Sequence, residues 1–136
     1  MSLYKPITFA PRRGAILLCD FDGARVAPEM DKRRQAIVLS VKGLNHRHAL
    51  TAGTCTLVPT SSEEPNTIGP EDFMIPAGKY WSFSVDSWVR GKYVATLSHA
   101  RLSLLHKYHR PHPTEFLDEI DMAKVEKAVR YALGLS

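Results

Sequence analysis

Lys32-Arg33-Arg34-Gln35-Ala36-Ile37-Val38-Leu39-Ser40 joins three cationic residues directly to a run of β-branched and aliphatic residues. That run has the composition of a buried strand, and we predict a strand from Arg34 to Val41. Because side chains alternate along a strand, Arg34 shares one face with Ala36 and Val38. The strand would hold a guanidinium at the rim of a core, where it meets an anion with little loss of side-chain freedom.

Further strands are predicted on both sides of this one, each apolar or β-rich and bounded by glycine, proline or polar residues. They cover residues 15–21, 54–59, 72–75, 81–89 and 93–97. Pro6 and Pro11 exclude a helix from the first residues, so 1–12 is predicted to be an extended lead-in. Pro111 and Pro113 likewise exclude regular structure from residues 106–113.

One strong helix is predicted near the end of the chain, over about residues 118–134. Acidic residues gather at its start, Gly134 supplies a C-cap, and apolar residues recur at helical spacing. Its apolar face comprises Ile120, Val125, Ala128, Val129, Ala132 and Leu133. Several short strands followed by one helix predict a mostly β (α+β) single domain over residues 1–136, built as a small antiparallel barrel or curled sheet with the helix packed on it.

The overall composition is typical of a globular protein, with 44% hydrophobic and 24% charged residues in a chain of 136. No apolar run approaches the roughly 20 residues that a membrane-spanning helix needs, and the first residues lack the apolar stretch of a secretory signal. We therefore expect a cytoplasmic protein. Cys19 and Cys55 lie within apolar runs and are predicted to be reduced core residues.

The net charge of +4 is unevenly distributed along the chain. Between residues 73 and 113, Asp86 is the one acidic residue, whereas acidic residues crowd the C-terminal segment. The cations in that range are Lys79, Arg90, Lys92, Arg101, Lys107 and Arg110. This asymmetry is typical of a nucleic-acid-binding face opposite a solvated helix, with scattered surface charge as the alternative.

The sequence lacks a phosphate-binding glycine loop, a His-Glu-x-x-His motif, a Cys-x-x-Cys pair and a nucleophile elbow. His106, His109 and His112 lie on a proline-rich segment without partner cysteines, so neither a metal nor another cofactor is predicted. A solvated loop is the simpler interpretation of these histidines.

What remains is arginine and hydroxyl chemistry at the ends of strands, where Arg34, Ser61, Ser62 and Arg90 lie. Guanidinium groups bind phosphate oxygens in bidentate fashion and stabilise the charge of a pentavalent transition state. With RNA as substrate, a ribose 2′-hydroxyl can serve as the nucleophile. The alternative is that these arginines only solvate an edge and that the serines only cap a turn.

The order of these motifs resembles the PemK/MazF family of toxin endoribonucleases from type II toxin-antitoxin modules. Arg13-Gly-Ala-Ile-Leu-Leu-Cys-Asp-Phe21 resembles the opening strand of the family, and Arg34-Gln-Ala-Ile-Val-Leu-Ser40 resembles its Arg-Pro-Val-Leu-Val strand. Leu57-Val-Pro-Thr-Ser-Ser62 is similar to its strand ending in Pro-x-Thr-Ser. The segments 89–90, 95–102 and 132–135 are similar to its C-terminal half, so the resemblance runs from about Arg13 to the end of the chain.

The resemblance implies an SH3-like barrel, a homodimer, and metal-independent, sequence-selective cleavage of single-stranded RNA that leaves a 2′,3′-cyclic phosphate and a 5′-hydroxyl. It also implies a cognate antitoxin whose acidic or extended tail occupies the RNA groove. By position, Arg34 matches the catalytic arginine, and Ser61 matches the catalytic threonine if Pro59 is the anchor. A shift of one residue would give that role to Thr60.

The resemblance also implies substrate-binding roles for several other residues. Ser62 would assist phosphate binding, Arg90 would contribute to catalysis or RNA contact, and Glu29 lies in a first loop where the family often has an acidic residue. Lys32 and Arg33 would steer RNA towards Arg34.

The sequence departs from the family pattern at three positions. Gln35 replaces the proline after the catalytic arginine, Pro28 replaces a histidine of the PemK branch, and Lys92 replaces an aspartate proposed as an acid-base partner. Lys92 would instead add phosphate affinity. The chain is accordingly expected to be either a ribonuclease using a single-arginine mechanism or a catalytically silent module that binds RNA or protein. A third possibility, an inhibitor of a large enzyme such as a topoisomerase, rests on fold analogy alone.

Overall fold

The computed structural model describes residues 4–22 and 26–135. Within these residues the chain forms nine strands and one α-helix: β1 (Ile16–Asp20), β2 (Arg33–Val38), β3 (Thr54–Ser61), β4 (Asp72–Ile75), β5 (Ser87–Arg90), β6 (Ala95–Ser98), β7 (Leu102–Ser103), β8 (His106–Lys107), β9 (Arg110–Pro111) and α1 (Glu119–Ala132). The first three residues of the predicted lead-in, and part of the predicted loop before β2, lie outside the described residues.

Seven of the described strands form one antiparallel sheet in the order β4-β5-β3-β2-β1-β7, with β6 paired to β3. The longest strand, β3, makes three of these pairings: with β6 over its first half, with β2 over residues 57–59 and with β5 at Thr60 and Ser61. The prediction of a mostly antiparallel β fold with a C-terminal helix packed on it is confirmed. The described strands leave this sheet open and do not close it into a complete barrel.

Two apolar cores flank the sheet, because side chains alternate along β2 as predicted. Ala36 and Val38 join one cluster with Leu17, Cys19, Cys55 and Leu57, and both cysteines are free and buried there. Ile37 joins the other cluster, in which Val58, Ile75, Phe83 and Val89 pack beside residues of α1. The alternation that places Arg34 on the first face therefore comes from a strand that is buried on both sides.

The helix begins and ends with side-chain and backbone caps. Asp118 accepts a hydrogen bond from the backbone nitrogen of Asp121 at 2.7 Å. At the other end, Gly134 has φ of +72° and Leu135 donates to the carbonyl oxygen of Arg130 at 2.8 Å, which is a Schellman motif. The predicted apolar face is wrong at Ile120, which is 70% exposed because Asp121 takes the buried position beside it, and at Leu133, which lies at the C-cap and is 57% exposed.

The predicted strand over residues 81–89 is confined to Ser87–Arg90. Residues 81–86 instead form turns, because side chains satisfy their backbone donors. Glu115 accepts hydrogen bonds from the backbone nitrogens of Trp81 and Ser82 at 2.9 and 2.6 Å. This turn segment reaches towards the start of β2, where the carbonyl oxygen of Ser82 accepts a hydrogen bond from Gln35 Nε2 at 3.0 Å.

The prediction that residues 106–113 contain no regular structure is wrong, since β8 and β9 form a small hairpin there. Tyr108 and His109 both have positive φ, as a two-residue turn of the primed type requires. Pro111 is tolerated because this two-stranded ribbon demands few ladder donors. Among the described residues, no helix is both long and apolar enough to cross a bilayer.

Candidate active site

The guanidinium of Arg34 is held at the start of β2 by three hydrogen bonds. Its Nε donates to the carbonyl oxygen of Asp31 at 2.8 Å, its Nη2 to the Asp31 carboxylate at 2.9 Å, and its Nη1 to Ser61 Oγ at 3.2 Å. The Arg34 side chain is 15% exposed, while that of Asp31 is 36% exposed. The arginine is thus fixed in position but still reaches solvent.

Ser61 and Thr60, the two candidate hydroxyls, have different surroundings. Thr60 is 2% exposed and its hydroxyl donates to the carbonyl oxygen of Gln35 at 2.8 Å, so it ties β3 to β2. Ser61 Oγ accepts from Arg34 and from the backbone nitrogen of Glu63 at 3.1 Å. Among the described residues, no acceptor takes the proton of the Ser61 hydroxyl, which leaves it able to donate to an anion beside Arg34.

A cleft of about 220 Å³ opens at this end of the sheet. Four of the predicted site residues line it, namely Arg33, Arg34, Thr60 and Ser62. The remaining walls are Lys32, Gln35, Glu63, Ser84, Val85 and Ser87. The lining combines three cations with the hydroxyls of Ser62, Ser84 and Ser87, which are donors that a phosphate group requires, and with the Glu63 carboxylate. Alternation along β2 puts Arg33 and Arg34 on opposite faces of the strand. Ser61 is not in this lining and reaches the cleft only through its bond to Arg34.

Arg90 shares the sheet face of Arg34 but belongs to a different set of contacts. Ser61 pairs with Trp88, and alternation along β5 puts Arg90 on the same face as Trp88. The Nε of Arg90 donates to the Asp72 carboxylate at 3.0 Å, and its guanidinium lies 5.4 Å from the centre of the Tyr93 ring. Among the residues described, Arg90 is not part of the wall of the Arg34 cleft.

Glu29 and Lys92 line a second, larger groove of about 510 Å³ rather than the cleft. Phe21, Met30 and Tyr93 contribute to the same groove. The Glu29 carboxylate accepts a hydrogen bond from the backbone nitrogen of Val26 at 2.6 Å, so it also closes its own loop. The structure therefore separates these two predicted substrate-binding residues from Arg34, Thr60 and Ser62.

Sequence reasoning missed Asp31 and Gln35 as contributors to this site. Asp31 precedes Arg34 by three residues, and that spacing of opposite charges was the signal that could have found it. Gln35 stands where the family pattern has proline, and its side chain hydrogen-bonds β2 to the carbonyl oxygen of Ser82. Within residues 4–22 and 26–135, no group of three metal-ligating side chains is placed to hold an ion.

Comparisons with known proteins agree with this fold. A family model described as the PemK-like, MazF-like toxin of type II toxin-antitoxin systems matches residues 12–133. The chain belongs to this toxin family. No curated protein matched the sequence.

Solved structures of the toxin family share the fold at low sequence identity. The MazF structure from Deinococcus radiodurans has a TM-score of 0.69 and 20% identity, covering 93% of this chain and 99% of that one. A mycobacterial endoribonuclease in complex with its cognate antitoxin has a TM-score of 0.63 and 19% identity, covering 93% and 98%. A MazE-MazF complex from D. radiodurans has a TM-score of 0.59 and 21% identity, covering 94% and 99%. The resemblance to the PemK/MazF family is confirmed.

Proposed function

We propose that this PemK/MazF-family chain is the toxin of a type II toxin-antitoxin module and a metal-independent, sequence-selective endoribonuclease that acts on single-stranded RNA. The observation that carries the proposal is the Arg34 guanidinium, bonded to Ser61 Oγ at 3.2 Å at the edge of a cationic cleft. Membership of the PemK-like, MazF-like toxin family also supports it, since a solved structure that shares this fold is an endoribonuclease.

In the proposed reaction the ribose 2′-hydroxyl gives up its proton to water, its oxygen bonds to the adjacent phosphorus, and the bond from phosphorus to the 5′-oxygen breaks as that oxygen takes a proton from water. The products are a 2′,3′-cyclic phosphate and a 5′-hydroxyl. Arg34 braces the non-bridging oxygens, on which negative charge builds in the transition state, and the Ser61 hydroxyl donates to one of them. Arg33 and Lys32 attract the flanking phosphates into the cleft, and Ser62 donates from the opposite wall.

The geometry favours Ser61 over Thr60 as the catalytic hydroxyl. The Thr60 hydroxyl already donates to a backbone carbonyl, whereas that of Ser61 contacts Arg34. Arg90, Lys92 and Glu29 act away from the scissile phosphate in this proposal. Arg90 and Lys92 flank Tyr93 and would contact RNA beyond the cleft.

The proposed partners are a cognate antitoxin and a second copy of the chain. Solved relatives support the first of these, since two of them are complexes with an antitoxin. We propose a cytoplasmic homodimer in which an acidic antitoxin tail neutralises the cationic cleft.

The test is incubation of the purified protein with a long single-stranded RNA in excess EDTA, followed by mapping of RNA 5′ ends. We expect discrete cuts with 5′-hydroxyl and cyclic-phosphate ends. Arg34→Ala should abolish the cuts while the fold and the oligomeric state persist, whereas Arg12→Ala, at an exposed site outside the cleft, should cut normally.

The second candidate is a catalytically silent RNA- or protein-binding module of the same family. It is favoured by the Asp31 carboxylate, which accepts a hydrogen bond from Arg34 Nη2 and so competes with a substrate phosphate for the guanidinium. Salt-dependent RNA binding by the wild-type protein, with the RNA left intact at high protein concentration, would establish this candidate and exclude the enzyme.

A further inference from the structure

The β8–β9 hairpin presents an aromatic and cationic surface that the proposed cleavage chemistry does not use. Tyr108 lies at its turn and is 85% exposed. Lys107, His109 and Arg110 are also exposed, and the Lys107 ammonium lies 5.6 Å from the centre of the Tyr108 ring. Within the described chain, neither Lys107 nor Arg110 takes part in an ion pair.

A second ring extends this surface from the hairpin onto the body of the protein. Trp81 stacks on His112 with ring centres 3.8 Å apart and planes 6° from parallel. The Lys107 ammonium also lies 5.6 Å from the centre of the Trp81 ring. One cation is therefore placed beside two aromatic rings, and Trp81 remains 36% exposed.

The base of the hairpin is fixed to the fold. The backbone nitrogen of His112 donates to the carbonyl oxygen of Leu105 at 2.7 Å. Glu115 holds the Trp81 backbone at 2.9 Å and the Ser82 hydroxyl at 2.6 Å. Burial alone would raise the pKa of Glu115, but the hydrogen bonds from Ser82 and Trp81, with the nearby His112, outweigh it and lower the pKa. The carboxylate therefore stays charged and keeps the Trp81 segment in place.

The same segment connects the hairpin to the Arg34 cleft. Ser82 follows Trp81 in the chain, and its carbonyl oxygen accepts a hydrogen bond from Gln35, the residue after Arg34. Ser84 and Val85, two and three residues further on, line the cleft itself. An RNA strand that leaves the cleft along this turn would therefore reach Trp81 and Lys107.

We propose that Trp81, Lys107 and Tyr108 form a second contact surface for single-stranded RNA, next to the cleft, which binds nucleotides flanking the scissile phosphate by base stacking and phosphate neutralisation. Exposed rings combined with unpaired cations are the features with which proteins bind single strands without reading their sequence. The hairpin thus increases affinity for long RNA and leaves the bond-breaking step unchanged. The proposal rests on the proposed ribonuclease function.

The test measures binding of a fully 2′-O-methylated RNA oligonucleotide of mixed sequence, which lacks the attacking hydroxyl. The variant is Lys107→Gln with Tyr108→Asn, since asparagine tolerates the positive φ of Tyr108. We expect binding to weaken by about tenfold or more, and the slope of log affinity against log salt to become shallower by about 0.7. The matched control, Lys127→Gln with Tyr131→Asn on the exposed side of α1, should bind as the wild type does.

A second measurement does not depend on hairpin substitutions. Fluorescence of Trp81, observed alone in Trp88→Phe protein, should be quenched as the oligonucleotide binds, because a base stacks on or beside the indole. An unchanged salt slope in the hairpin variant, or unquenched Trp81 fluorescence at saturation, would overturn the proposal. Since the probe cannot be cleaved, these results are separate from the cleavage assay. Loss of cutting with hairpin-dependent binding would refute the enzyme and retain the RNA surface.

Discussion

Arg34 and Arg90 lie on the same face of the sheet, each beside an aspartate, yet their partners differ in burial. The Asp31 side chain beside Arg34 is 36% exposed, whereas that of Asp72 beside Arg90 is 2% exposed. A solvated carboxylate gives up its partner at little cost, while a buried one left unpaired is strongly destabilising. The contrast concerns the two carboxylates alone, since the Arg34 side chain is 15% exposed and that of Arg90 is 22% exposed. It supports the proposal that Arg34 can exchange its partner for a substrate phosphate, and it indicates that the pairing of Arg90 with Asp72 stabilises the fold.

The largest effect is expected at Arg34, where lysine would keep the charge and lose the planar fork. Arg34→Lys should slow cleavage about 10²-fold to 10³-fold, because one ammonium cannot brace two phosphate oxygens at once. Single-turnover cleavage of one mapped RNA site, with thermal unfolding as the control for folding, measures this. Near wild-type cleavage by Arg34→Lys would mean that a positive charge is sufficient at this position. It would then contradict the proposal that the planar guanidinium of Arg34 braces the phosphate.

Arg90→Ala should instead reduce stability, by about 3 kcal/mol, because it leaves the Asp72 carboxylate buried without its cation. Urea unfolding would report the loss as a lower midpoint with an unchanged slope. The matched control is Arg33→Ala, since Arg33 pairs with Asp20 at 3.8 Å and the two side chains are 46% and 30% exposed. That change should cost under about 1 kcal/mol, and equal losses in the two variants would contradict the comparison.

Ser61 and Thr60 allow the same contrast to be drawn between two hydroxyls. Ser61→Ala should lower cleavage about tenfold, because Arg34 loses a partner and the phosphate loses a donor. Thr60→Val should leave cleavage by the folded protein unchanged and cost about 1 kcal/mol of stability. Cleavage rates and unfolding midpoints measured on both variants decide the register, and the reverse pattern would give the catalytic role to Thr60.

The smallest effect is expected at Asp31. Asp31→Asn keeps the backbone oxygen that binds Arg34 Nε but removes the competing charge. Binding of an uncleavable RNA oligonucleotide should tighten a few-fold, since the phosphate no longer displaces a carboxylate. Weaker binding would show that Asp31 orients Arg34 for the substrate rather than guarding it.

Much of this arrangement follows from periodicity in the sequence. The alternation along residues 34–38 places Arg34 on one face, and strand β4 has the predicted bounds, Asp72–Ile75. The helix was also predictable, because capping residues and apolar spacing agree there. These features depend on residues that are close together in the chain, so their pattern can be recognised from the sequence alone.

What could not be predicted depends on contacts between distant residues. Residues 81–86 have strand-like composition but form turns, because Glu115 binds their backbone donors from more than 30 positions away. The turn of the hairpin at residues 106–111 requires positive φ at Tyr108 and His109. Glycine is the residue that usually indicates such a turn, and the sequence has none there. Arg90 resembles Arg34 in the sequence, and contacts with distant residues distinguish the two: Arg90 pairs with the buried Asp72, whereas Arg34 bonds to Ser61 beside the cleft.

The Asp72–Arg90 pair has one more consequence, because β4 is an edge of the open sheet. Edge strands expose unpaired backbone groups that can recruit another chain, and a charge pointing inward makes such recruitment unfavourable. A well-packed apolar pair at these two positions would fold as well or better in isolation. That apolar pair would also remove the inward-pointing charge that disfavours pairing of β4 with another chain, and so would favour aggregation.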